Sequence, residues 1–228
     1  MDDKSHKYLN DNPLNNVQIL HIKELEKKFP SLKIAKLNRN RIEYFFTCSP
    51  AVCNYVMDQF DFIDSITYLD ADLYFFSDPK KVFDEIENKS IEIIEHRFHW
   101  TTKRQLKYGR FNVGWITFKN DIEGKKCLKQ WMENCLDWCY QKVEKDRFGD
   151  QKYLNSWPSL YKNLHIIQNK GANVAGISAP SRAATLINYV GIDHNILNCI
   201  FEIKGSHKIN SFMPGTLIPV VEEKINML

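Results

Sequence analysis

The chain has 228 residues, enough for one domain or one and a fraction, and 43% of them are hydrophobic, so it can bury a sizeable core. Its net charge of +3 argues against nucleic-acid binding driven by bulk charge. Six scattered cysteines without a CxxC pair argue against a zinc site and predict reduced thiols in a cytoplasmic setting. No apolar stretch is long enough to span a bilayer, which leaves peripheral membrane association compatible with the sequence.

Val17–Leu20 reads as a short strand. Residues 39–60 read as helical, interrupted where Ser49 can cap a second helix and Pro50 can take its first position. Ser65–Leu69 is an apolar run with the character of a buried strand, and it ends at Asp70-Ala71-Asp72. In an extended segment residues i and i+2 point the same way, so Asp70 and Asp72 face one side and repel unless a cation lies between them. Hard divalent cations take oxygen ligands and keep positions open for phosphates. The carboxyl ends of strands are also where open α/β sheets bind ligands. Asp-x-Asp is otherwise a common solvated turn, and its neighbours have to decide its role.

Asp78-Pro79 opens a helix through Ile86, and Ile91–Glu95 is a strand. Residues 96–110 are polar and non-periodic, a loop carrying Arg97, Lys103, Arg104, Lys107 and Arg110; His96 and His99 read there as polar surface. Phe111–Phe118 alternates as a strand. Gly114 inside it suggests close backbone approach, with Asn112 able to donate to and accept from hydroxyls. Asp121 to about Val143 is a helix whose Leu128, Trp131, Cys135 and Trp138 form a core face. Asp150–Trp157 is a short helix ended by Pro158. Its opening pair, Asp150 and Gln151, serves either as a helix cap or as a contact to an acceptor hydroxyl, with Asp150 as general base. Leu164–Gln168 is a strand, followed by a glycine loop, Lys170-Gly171-Ala172-Asn173, able to cradle a phosphate. Arg41 could pair a diphosphate or simply lie on a solvated helix face. The alternation of strands and helices predicts a three-layer α/β sheet.

Taken together, Tyr68–Pro79, Phe111–Gly114, Phe148–Leu154 and Lys170–Ala175 resemble bacterial GT-A glycosyltransferases that use nucleotide-sugar donors, over roughly residues 1–175. The resemblance implies a GT-A sheet and Mn²⁺ or Mg²⁺ on Asp70 and Asp72. It implies donor contacts from Arg41, Asn112, Gly114, Lys170 and Gly171, and reaction-centre roles for Asp150 and Gln151. Its partners would be a nucleotide-diphosphate sugar and a glycan or lipid-linked acceptor. Set against that family, Met1–Ser5 looks like the end of a second strand, with the first βαβ portion absent and a sheet edge exposed. A non-catalytic remnant or interaction domain that keeps the metal site is the alternative. Residues 176–228 form a short α/β appendage resembling the C-terminal domain of SAM-dependent sugar C-methyltransferases, with a strand over Asn173–Ile177 and a helix over Ala183–Val190. No cofactor-binding glycine loop of a methyltransferase catalytic domain occurs, so neither methyl transfer nor SAM binding is expected.

Overall fold

A computed structural model describes residues 3–71, 73, 75, 78–98, 100–168, 175–177, 197, 199–202 and 204–222. In chain order the elements begin with helices α1 (Asp3–Asp11), α2 (Ile22–Lys28), α3 (Ser31–Asn38) and α4 (Arg41–Gln59), then β1 (Ser65–Leu69), α5 (Lys80–Glu85) and β2 (Ile91–Glu95). A 3-10 helix (Trp100–Tyr108), β3 (Phe111–Lys119), α6 (Ile122–Asp137), a second 3-10 helix (Lys152–Ser156) and α7 (Trp157–Leu160) follow. The last strands are β4 (Leu164–Ile166), β5 (Ala175–Ile177), β6 (Cys199–Glu202), β7 (Ser211–Phe212) and β8 (Pro219–Glu222). The result is a mixed α/β fold with two four-stranded sheets. The chain forms two compact units. One comprises Met1–Ala71, Ile86–His96 and Lys107–Ile167; the other comprises Asp72–Glu85, Arg97–Leu106 and Gln168–Leu228.

In the first unit the strand order is β1-β3-β2-β4. β3 runs antiparallel to both β1 and β2, and β4 lies parallel to β2. β3 is central and buried along nearly its whole length. Its pairing with β1 is regular from Ser65↔Lys119 to Leu69↔Trp115. Its pairing with β2 jumps from Ile93↔Ile116 to Ile94↔Asn112, so Val113, Gly114 and Trp115 form a bulge toward β2. An odd number of extra residues resets the alternation of faces. Phe111 and Val113 therefore share one core with Ile116 and Phe118. Trp131 of α6 stacks on Phe118 at 6.0 Å between centroids, and Cys53 and Met57 of α4 close the same core. A smaller core under α2, α3 and α4 is built on Leu25, Leu32, Tyr44, Cys48 and Ala51.

Several local expectations change. Residues 3–5 lie in α1 rather than in a strand, and Val17–Leu20 is irregular. α4 is one continuous helix through Pro50, and its cap is Asn40. The Asn40 side chain accepts from the Ile42 and Glu43 amides at 2.9 and 3.0 Å, and Glu43 bonds back to the Asn40 amide at 3.0 Å. Ser49 is not a cap; its hydroxyl donates to the Phe45 carbonyl and to Tyr68 Oη, each at 3.3 Å. α6 starts as expected, with Asp121 accepting from the Gly124 amide at 2.8 Å, but it stops at Asp137 because Trp138 turns extended. The 96–110 segment contains a 3-10 helix, and Pro158 sits near the start of α7 rather than ending a helix.

In the second unit the order is β5-β6-β8-β7, with β5, β6 and β8 parallel and β7 antiparallel to β8. Its core is Leu197, Ile200, Met213, Ile218 and Val220. Met213-Pro214-Gly215-Thr216 is a tight turn closed by the Thr216 amide donating to the Met213 carbonyl at 3.0 Å, with Gly215 at φ 80°. Proline at the second position and glycine at the third suit that turn type. The buried Glu202 carboxylate meets Lys208 Nζ at 3.3 Å. The helix expected over Ala183–Val190 lies outside the described residues.

Candidate functional site

Asp70 follows the last residue of β1, and its amide donates to the Gly114 carbonyl at 3.3 Å. A Cβ on Gly114 would stand 3.2 Å from Asp70 Oδ2 and 3.3 Å from Asn112 Oδ1, so the glycine lets two polar groups close over the bulge. Asn112 Oδ1 accepts from the Gly114 amide at 2.8 Å, which fixes the Asn112 side chain.

Asp150 is only 6% exposed. Burial pushes its carboxyl up to about 7, opposed by a hydrogen bond to its own backbone, reinforced by the Asp70 charge and opposed again by a hydrogen bond to Ser49. Trp131 Nε1 donates to the Asp150 carbonyl at 2.9 Å and ties the loop to the core. Tyr68, on β1, has its phenol raised, first by burial and further by the Asp70 and Asp150 charges, against the effect of its Ser49 bond. Gln151 Nε2 donates to the Tyr108 carbonyl at 3.0 Å, and its Oε1 lies 3.4 Å from His96 Nε2. Burial lowers the His96 pKa, with the Gln151 contact working the other way. Gly109, at φ 141°, leaves room for Gln151, since a Cβ there would stand 3.2 Å from Gln151 Cγ.

Five of the expected site residues thus fall into one neighbourhood of the first unit: Asp70, Asn112, Gly114, Asp150 and Gln151. Arg41 sits elsewhere, its guanidinium 5.3 Å from the Phe45 ring centre, in a cleft it shares with Arg39 and Lys36. Asp72, Lys170 and Gly171 lie outside the described residues. Ser49, Tyr68 and His96 join the site without having been singled out for it. For His96 a signal existed: it follows β2 directly, as Asp70 follows β1. A buried carboxyl that titrates near neutrality, beside a second carboxylate, is the arrangement expected of a general acid or base.

Residues 150–227 match the family of C-methyltransferase C-terminal domains. The chain is 33% identical over 181 residues to the uncharacterized protein YfnD of Bacillus subtilis (strain 168), covering 77% of this chain and 57% of that protein. It is 30% identical over 181 residues to the uncharacterized protein YfnF of the same organism, covering 76% of this chain and 59% of that one. The chain therefore spans less than two thirds of the length of these curated relatives. No solved structure matches it.

These findings overturn the expected glycosyltransferase. The matching family belongs to methyl transfer, and it takes in Asp150 and Gln151, the pair assigned to glycosyl chemistry. Among the described residues no group of three His, Cys, Asp or Glu side chains could hold a metal, so nothing supports a manganese-dependent transferase built on Asp-x-Asp. The C-terminal resemblance agrees with the match, which begins at Asp150 rather than at residue 176. Among the described residues no helix is long and apolar enough to cross a membrane.

Proposed function

We propose that this chain works in methyl transfer to carbon, on the substrate side of the reaction, with Asp150 as general base. The observation that carries the reading is the match of residues 150–227 to C-methyltransferase C-terminal domains. Carbon becomes a nucleophile for a methyl group only after it loses a proton. That proton passes to Asp150 Oδ, and the electron pair left on carbon would then take a methyl group from a donor whose leaving atom keeps the pair of the broken bond. A carboxyl raised to about 7 by burial suits the task, because it is ionised in part at neutral pH and basic enough to accept the proton. Asn112, held by the Gly114 amide, and Gln151, held by the Tyr108 carbonyl, are placed to orient a hydroxylated substrate. A nucleotide-linked sugar bearing a ketone is the substrate class we assign, because a ketone acidifies the neighbouring C–H bond.

A methyltransferase also needs a methyl donor. No Gly-x-Gly-x-x-Gly run is present in the sequence, so these residues do not fit a dinucleotide-type donor loop. A divalent cation, Mn²⁺ or Mg²⁺, held by Asp70 is a separate proposal, resting on the place of that carboxylate at the end of β1. A three-layer arrangement around the first sheet, with α4 and α6 in one helical layer, and a cytoplasmic placement, supported by six free thiols, complete the reading.

The test needs no methyl donor. The full chain is incubated in D₂O with nucleotide-linked keto-sugars, with and without each ion, and exchange of the proton beside the ketone is followed by ¹H NMR. We expect exchange that rises with pH through neutrality and disappears in Asp150→Asn. No exchange with any keto-sugar, or exchange that survives Asp150→Asn in a folded variant, overturns the assignment.

A further inference from the structure

A helix on the surface of a folded unit turns its apolar stripe inward and its polar face to water. α3 does only the first. Leu32 and Ala35 are buried, and successive residues advance by about 100°, which puts Lys33, Leu37 and Ile34 side by side on the opposite face. There Ile34 is 67% exposed and Leu37 88% exposed. Single exposed leucines are ordinary, but this pair lies one turn apart beside the exposed Lys33. Residues 30–42 hold Lys33, Lys36, Arg39 and Arg41 and no carboxylate. Three of these cations, Lys36, Arg39 and Arg41, line a cleft of about 860 Å³ whose walls include Leu20, Ile22 and Phe45.

Some of that charge is already engaged. Lys36 Nζ donates to Glu26 at 2.7 Å, and Arg39 donates to Thr47 Oγ1 and to the Leu136 carbonyl, both at 2.7 Å. Arg41 lies against the Phe45 ring, itself half exposed, and Lys33 stands beside Leu37 on the outward face. Nucleic acid would answer the cations but would gain nothing from Ile34 and Leu37. An anionic bilayer answers both, because its acyl boundary takes the apolar pair and its phosphates take the lysine and arginine heads. We propose that the outward face of α3, with the basic rim of the adjoining cleft, docks on an anionic phospholipid membrane.

Flotation of the full chain with phosphatidylglycerol-containing vesicles, against vesicles of phosphatidylcholine alone, tests this. The chain should float with the anionic vesicles only, and added salt should weaken the binding. Leu37→Glu should lower the bound fraction at least about tenfold, because it removes a side chain that would be buried in the membrane and adds repulsion. Lys33→Glu and Arg41→Glu should each lower it by several-fold. All three positions are on the surface, and an unchanged urea midpoint confirms that the variants fold. Absent flotation, equal binding to neutral vesicles, or binding untouched by Leu37→Glu overturns the proposal. A dimer seen by light scattering and abolished by Leu37→Glu assigns the face to a second copy instead. Oligonucleotide binding that Leu37→Glu leaves intact, without flotation, assigns the cations to nucleic acid.

Discussion

Replacing Asp150 by asparagine should make the fold gain stability, relative to the parent chain, as pH rises from acidic to alkaline. The buried carboxyl titrates at about 7 instead of the ordinary 3.8. Between those values the folded chain keeps a proton that the unfolded chain has released, so stability falls as pH rises through the window. The penalty is absent below about pH 4 and complete above about pH 7. At about 1.4 kcal/mol for each tenfold change in proton affinity, the full effect is on the order of 4 kcal/mol. The substituted amide carries no charge, so the variant escapes this penalty. Its new N–H donors add an offset, but one that is the same at every pH. Urea unfolding of both proteins from pH 4 to pH 8 measures the difference, and the slope is the quantity of interest. A difference that stays flat across this range would refute the burial argument, and with it the base assigned to the site.

Two further outcomes follow from the same packing. A Cβ on Gly124 would lie 2.2 Å from the Lys119 carbonyl oxygen and 3.1 Å from that of Ser90, both backbone atoms that cannot step aside. Gly124→Ala should cost about 3 kcal/mol by urea denaturation, and a neutral result would mean that α6 is free to shift on β3. Among the thiols, Cys48, Cys53, Cys127, Cys135 and Cys139 are buried and Cys199 is half-buried. Burial also raises Cys48 to about 11 and Cys53 to about 12. A thiol reagent should label Cys199 first and the others only on unfolding, so early labelling of Cys53 in native protein would contradict its burial.

Strands β1, β2 and β3 were legible nearly to the residue, because each is an apolar run closed by polar or turn-forming neighbours. α4 was misread because Ser49-Pro50 obeys the local grammar of a helix start. Tertiary structure overrides it: Ser49 and Pro50 are both buried, and the Ser49 hydroxyl is held by Phe45 and Tyr68. α6 was drawn too long because Trp138 continues the apolar spacing. In the fold its ring lies under Arg147 at 4.7 Å, and its carbonyl accepts from Tyr153 Oη at 2.6 Å, both from beyond the helix. Asp70, Asn112 and Gly114 could be placed together because each lies on or just past a paired strand. Ser49 could not be tied to them, since its proximity is set by how α4 packs on β1, whereas Tyr68, two residues before Asp70 on one strand, lay within reach of the strand's alternation. The chemistry was misassigned for a different reason: carboxylates at strand ends mark a place where reactions occur, and many reactions use such a place.

The bulge at Val113–Trp115 has a consequence for how this chain can vary. It acts as a phase shifter in the middle of the central strand. The half before it and the half after it send opposite sequence parities into one core. Pulling the strand straight at its present length would put Asn112 and Gly114 on the face of Ile116 and Phe118 and turn Phe111 and Val113 outward, whereas losing one residue of the seam would straighten it with Phe111 still inward. A one-residue deletion at the seam would spare the core face of Phe111 and remove the bulge itself. What the extra residues secure is therefore the site rather than the core: the bulge lets Asn112 fold back on the Gly114 amide beside Asp70.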